Sequence, residues 1–154
     1  MKKLILAGVF ASFASPAFAS DWWMVDFPIG TKFHHQAFFV DRSSISTVGE
    51  FRRVWVSMIN ETPVEGIKSL RSYLQIDCQQ SRWLTLQNSA ILSTGKRSLS
   101  GPFSEWQFLM PDSPMDKIAK DVCDTAFYRT MRLKGQTPEA FAPAAFKASN
   151  SLRR

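Results

Sequence analysis

Cysteine is scarce in this chain: among 154 residues only Cys78 and Cys123 occur. Histidine is equally rare, and its two copies, His34 and His35, are neighbours. Adjacent residues on a strand point to opposite faces, so this pair does not form a metal site by itself. No further Cys or His stands at ligand spacing, and solvated loop histidines are the expectation. A Gly-x-Ser-x-Gly nucleophile elbow is missing. Asp21, Asp26 and Asp41 lack the paired spacing of a general acid–base couple. These gaps argue against an enzyme and call for no cofactor and no metal. After the first nineteen residues there is no apolar run of about 18 residues, so no transmembrane segment is expected. Nor is there a dense basic stripe: the net charge is +6, enough for loose attraction to acidic surfaces and too diffuse for a nucleic-acid partner.

What is present begins with an export signal at residues 1–19. Lys2 and Lys3 precede an apolar run from Leu4 to Phe13, and Ser15-Pro16 leads to the small-x-small site Ala17-Phe18-Ala19 before Ser20. Cleavage there removes two lysines and lowers the charge from +6 to +4. The remainder suits one domain. Export to an oxidising compartment makes Cys78 and Cys123 a disulfide pair, with two buried thiols as the alternative. Ser20 is not a cysteine, so no lipid anchor is expected, and the mature protein is placed in the periplasm or secreted.

Hydrophobic periodicity organises the rest. Residues 21–35 read as irregular, Gln36 to Asp41 as a short strand, and Arg42-Ser43-Ser44 as a turn with Asp41 as its former. From Glu50 to Asn60 both faces are apolar, Phe51, Trp55 and Ile59 against Val54, Val56 and Met58, as a doubly covered central strand requires. Leu70 to Cys78 alternates, and so does Arg82 to Leu92. The short link at Gln79-Gln80-Ser81 joins them as an antiparallel hairpin. Gly95 to Gly101 reads as a basic loop and Phe103 to Met110 as a last strand.

The period then changes to that of a helix. Met115, Ile118, Ala119, Val122, Cys123 and Ala126 recur at spacings of three and four. Ser113 suits the N-cap, Pro114 the first position, and Asp116 completes a capping-box-like arrangement. Lys117–Asp121 and Lys120–Asp124 are expected i,i+4 pairs. Cys78 falls on the apolar side of its strand and Cys123 on the apolar stripe of this helix, so a disulfide would staple helix to sheet. The predicted fold class is therefore α+β: an antiparallel sheet with a C-terminal helix packed on one face and tied by a disulfide. The domain runs over 20–134, and 135–154, with Pro138 and Pro143, reads as a flexible or loosely docked tail.

The order of features from Phe39 to Cys123 resembles the surface-adhesin E (protein E) family of Gram-negative bacteria. The matching features are Val40-Asp41 with Ser44-Ile45, the Val54-Trp55-Val56 strand, Asp77-Cys78, the hydrophobic strand after it, Trp106 before a proline-containing link, and a helix closing on Cys123. The resemblance implies the same pinned sheet. It also implies binding of host matrix and serum proteins such as vitronectin, laminin and plasminogen, and a homodimer.

The residues themselves propose a binding face on the hairpin: Arg71, Tyr73 and Gln75 on one strand, Trp83, Thr85 and Gln87 on the other. Arg, Tyr and Trp are the residue types that dominate protein–protein hot spots. The alternative is that this face is covered and Trp83 is ordinary core. Arg52, Arg53, Lys68, Lys96 and Arg97 could add an anionic-surface patch, or be scattered solvated charges. The function expected is non-catalytic binding of a protein or cell-envelope partner. A soluble periplasmic inhibitor or envelope-homeostasis factor is the second reading.

Overall fold

A strand that is apolar on both sides must be covered on both sides, and β3 (Phe51–Val64) is the clearest such element. The computed structural model describes residues 20–31, 34–102, 105–124 and 131–151. The export signal read at 1–19, together with Phe103 and Ala126, lies outside them. In chain order the other elements are β1 (Trp22–Thr31), β2 (His34–Val48), β4 (Ile67–Asp77), β5 (Arg82–Leu92), β6 (Arg97–Ser100) and β7 (Gln107–Phe108). These are followed by α1 (Pro114–Cys123), β8 (Met131–Arg132) and α2 (Pro138–Ser151). The sheet is antiparallel, ordered β6-β5-β4-β3-β2-β1-β8, with β7 pairing β5. Six consecutive strands form a meander, and β3 lies near its middle with helices on both sides.

On one face Val40, Val54, Val56, Leu74 and Ile76 meet Ile118, Ala119 and Val122 of α1. On the other, Trp22, Met24, Ala37, Phe39 and Ile59 meet Ala142, Ala145 and Phe146 of α2. Each fully buried side chain of this size contributes about 1.5–3 kcal/mol of transfer free energy. The two apolar clusters together supply the core that the pattern of β3 demanded.

The helix at 114–123 forms as its sequence signals require. Ser113 is extended and its hydroxyl accepts the Asp116 N–H at 3.1 Å, with Pro114 at the first position. Asp116 in turn accepts the N–H of Asp112 at 3.0 Å. The wet-side pairing differs from expectation for Lys117, which reaches Asp26 of β1 at 2.7 Å, while Asp121 is buried and held by Arg42. Charges facing the sheet thus find partners across elements in place of the i,i+4 pair Lys117–Asp121.

Several local readings are corrected. The segment 21–35 is largely strand. β2 runs through Arg42-Ser43-Ser44 to Val48, because a bulge between Asp41 and Ser46 absorbs the extra residues. Asp41 holds that bulge, its carboxylate accepting the N–H groups of Ser43 at 3.1 Å and of Asp21 at 2.9 Å. The basic loop at 95–101 contains β6 on the sheet edge, and among the described residues of the last expected strand Gln107–Phe108 pair with β5.

The largest correction concerns the C-terminus. Residues 138–151 are not a flexible tail but α2, and Ala142 and Phe146 are buried against the sheet. These residues pack on the same sheet as the segment read as the domain, 20–134. Proline at 138 starts the helix without loss, and Pro143 lies on its exposed side. The disulfide Cys78–Cys123 is present, closing a separation of 45 residues. Cys78 lies just past β4 in an exposed turn, not on the buried face with the leucines, and it is Cys123 that packs against the apolar cluster.

Candidate interaction surface

The hairpin of β4 and β5 was expected to put six polar and aromatic residues on one face, and the backbone register divides them. Tyr73 pairs with Gln87, but Leu74 pairs with Thr85, Gln75 with Leu84 and Ile76 with Trp83. One extra residue, Leu86, lies between the two registers, so the side chains of β5 exchange faces across it. Arg71, Tyr73, Gln75 and Gln87 remain on the α2 face. Trp83 and Thr85 turn to the α1 face with Leu74 and Ile76. There Trp83 packs against the buried cluster, and both line a hollow of about 350 Å³ with Met58, Leu70 and Met115.

On the α2 face, partners from β3 replace the lost pair. Trp55 stacks on Tyr73 with ring centroids 5.0 Å apart and planes 26° from parallel. One cross-strand step further, the Arg53 Nε donates to Gln75 Oε1 at 2.9 Å. Beyond that, Phe51 meets Trp106 at 5.5 Å, and the Arg82 guanidinium lies 4.5 Å from the Trp106 ring centroid. At the opposite end, Arg71 lies 5.5 Å from the Trp22 ring and grips Glu139 of α2. Its Nη2 donates to both carboxylate oxygens at 2.9 Å. The result is a strip of alternating rings and guanidinium groups running from the start of α2 to the β4–β5 turn.

Arg53, Trp55, Tyr73, Arg82 and Trp106 along it are half-buried: packed on one side and open on the other. Stacked rings and planar guanidinium groups are rigid, so a partner meeting them orders little that is not already ordered. Asp77 closes the strip. Its carboxyl is held below the ordinary value of 3.8, first by the Gln80 N–H at 3.0 Å and further by Arg82 and the Gln79 N–H, which together outweigh its desolvation. It stays ionised and keeps Arg82 fixed over Trp106.

Arg53, Trp55 and Phe51 were not among the binding residues read from the hairpin. The signal existed, because a period of two puts 51, 53 and 55 together on β3. It becomes visible only once β3 is paired with β4 in register, Trp55 opposite Tyr73 and Arg53 opposite Gln75. The other basic residues do not join them as a patch. Arg52 points away from Arg53 and binds Thr47, Lys96 and Arg97 lie at the β5–β6 edge, and Lys68 lies beside α2. His35 also departs from expectation: it is 3% exposed within β2, and its Nδ1 lies 2.7 Å from Glu61 Oε2. Among the described residues there is no cluster of three or more metal-ligating side chains, and no helix is long and apolar enough to cross a membrane.

The chain belongs to the surface-adhesin protein E family, whose sequence profile matches residues 27–124. Among solved structures it is similar to protein E of Haemophilus influenzae in crystal form II, at 15% identity over 57% of this chain and 80% of that one, with a TM-score of 0.45. It is also similar to the selenomethionine form of the same protein, at 14% identity over 67% and 97% of the two chains, with a TM-score of 0.41. No curated protein sequence matches it significantly. Helix α2 and strand β8 lie beyond the matched segment.

Proposed function

We propose that this is an exported, non-catalytic binding protein that captures a protein partner, of the host-matrix class its family membership suggests, on the strip from Arg71 to Trp106. One observation carries the reading. The half-buried Trp55–Tyr73 stack, flanked by Arg53, Arg71 and Arg82, concentrates on one face the residue types that dominate binding hot spots. Most of the strip, from Phe51 to Trp106, falls within the family-matched segment. Gln75 and Gln87 border it; Trp83 and Thr85 lie on the α1 face.

The test is capture on immobilised vitronectin and laminin. Arg53→Ala and Tyr73→Ala should each weaken capture at least about tenfold with unchanged circular dichroism, while Lys96→Ala in the exposed β5–β6 turn should not. Capture that is equal for all three variants would remove the strip as the site. Wild-type protein that binds neither matrix protein, and is protected from protease added to intact cells, would favour the soluble periplasmic factor.

A further inference from the structure

Beside α2 lies a groove that this reading does not use. It holds about 810 Å³, and its apolar walls are Ile59 and Ile91 from the sheet and Pro143 and Phe146 from the helix. The helix contributes lining residues at 139, 143, 146, 147, 150 and 151. That is one continuous face over nearly the whole of α2, so the groove runs about 18 Å along it at 1.5 Å per residue. A slot this long, with a volume in the range of small-molecule sites, suits an extended apolar chain better than one side chain.

The charges around it select the head group. Glu139 is neutralised by Arg71, as described above. Glu61 is engaged twice, by His35 Nδ1 at 2.7 Å and by the Asn150 amide at 3.0 Å. The buried amide of Asn60 is satisfied internally, accepting from Gln36 and donating to the Ile67 carbonyl, each at 2.9 Å. Lys68 and Lys147 also line the groove, are exposed, and form no ion pair with a carboxylate among the described residues. An apolar slot whose carboxylates are spoken for and whose lysines are not is complementary to an amphiphile with an anionic head.

We infer that the groove between α2 and the β3–β5 sheet binds a single long acyl chain carrying an acidic head group, with the chain along Phe146 and Ile59 and the head at Lys68 and Lys147. The site depends on α2, which lies outside the family-matched segment, and meets the aromatic strip through the Arg71–Glu139 pair.

The experiment uses the purified mature chain and a fluorescent hexadecanoic acid, with three unlabelled competitors: hexadecanoate, lysophosphatidylglycerol and hexadecanol. Saturable one-site binding is expected, displaced by both anionic competitors and about tenfold less well by the uncharged alcohol. Preference for hexadecanoate over lysophosphatidylglycerol identifies a free fatty acid as the source; the reverse identifies a membrane lipid. Lys147→Glu, an exposed position, should weaken binding about tenfold, and Ile91→Trp should weaken it by filling the slot. Matrix-protein capture by Lys147→Glu should be unchanged, which separates this site from the strip. The inference is overturned by non-saturable uptake, by equal competition from hexadecanol, by full binding to Lys147→Glu, or by displacement with an apolar peptide but not with hexadecanoate.

Discussion

On one face of the sheet a ten-residue helix is fastened by a disulfide, a side-chain N-cap and the cross-element pairs Arg42–Asp121 and Lys117–Asp26. On the other a fourteen-residue helix rests on apolar contacts, the partly exposed Arg71–Glu139 pair, the Asn150–Glu61 hydrogen bond and the Thr137 hydroxyl that accepts the Ala140 N–H at 3.3 Å, with no covalent tie among the described residues. The α1 helix is short, too short to be stable alone, and every fastener offsets that deficit. The α2 helix is longer and leaves part of its face of the sheet open, so that face carries both the aromatic strip and the groove. The difference suggests a division of labour: the α1 side holds the domain together, and the α2 side presents surfaces.

The sharpest way to break that comparison is to remove the staple. Replacing Cys78 and Cys123 together by serine should lower the unfolding free energy by about 4 kcal/mol, the chain-entropy value for a loop of this length. Urea denaturation measures it, and reduction of the wild-type protein should reproduce the shift. If stability belongs to the α1 side, protein that remains folded should still capture matrix protein through the strip. A loss of capture in molecules with native circular dichroism would show that the faces are not separable.

How much of this was legible beforehand follows from which signals are local. Ser113, Pro114 and Asp116 act within one turn, so the start of α1 could be read directly. The two-sided apolar pattern of Phe51 to Asn60 announced a central strand, and the compartment implied by the export signal paired the cysteines. The face exchange at Leu86 could not be read: a bulge inserts one residue without a glycine or any other mark, and it turned Trp83 to the α1 face. Nor could α2, since two prolines among alanines look like a loose segment until Trp22, Met24 and Phe39 are seen to need a cover. The candidate site was thus half legible: Arg71, Tyr73 and Gln75 from one strand, their β3 partners only from register.

A core truncation on the other face comes next in size. Phe146 is 5% exposed and spans the α2 cluster and the groove wall. Phe146→Ala should cost about 3 kcal/mol, less than the loss of the disulfide, and should also reduce acyl binding while leaving the Cys78–Cys123 crosslink intact on non-reducing mass spectrometry. A cost well under about 1 kcal/mol would mean that α2 is only loosely seated, and would sharpen the contrast between the faces to one of order against laxity.

The smallest expected effect separates the faces by pH. Asp77, at the end of the strip, and Asp116, at the cap of α1, both have carboxyls held below the ordinary value of 3.8. For Asp77 the leading cause is the Gln80 N–H; for Asp116 it is Lys120, with the Asp112 N–H helping. A depressed folded-state pKa stabilises the fold fully above the unfolded value, and that contribution is lost as pH falls through the lowered one. Stability should therefore be flat from neutrality to about pH 5 and decline below about pH 4. Asp77→Asn should flatten part of that decline and, by freeing Arg82 from its place over Trp106, weaken partner capture at neutral pH. Asp116→Asn should flatten another part of it and leave capture unchanged. Denaturation midpoints taken between pH 2 and 7, beside capture at pH 7, decide whether the two carboxylates differ in this way; equal effects on capture would place the cap and the strip in one coupled unit.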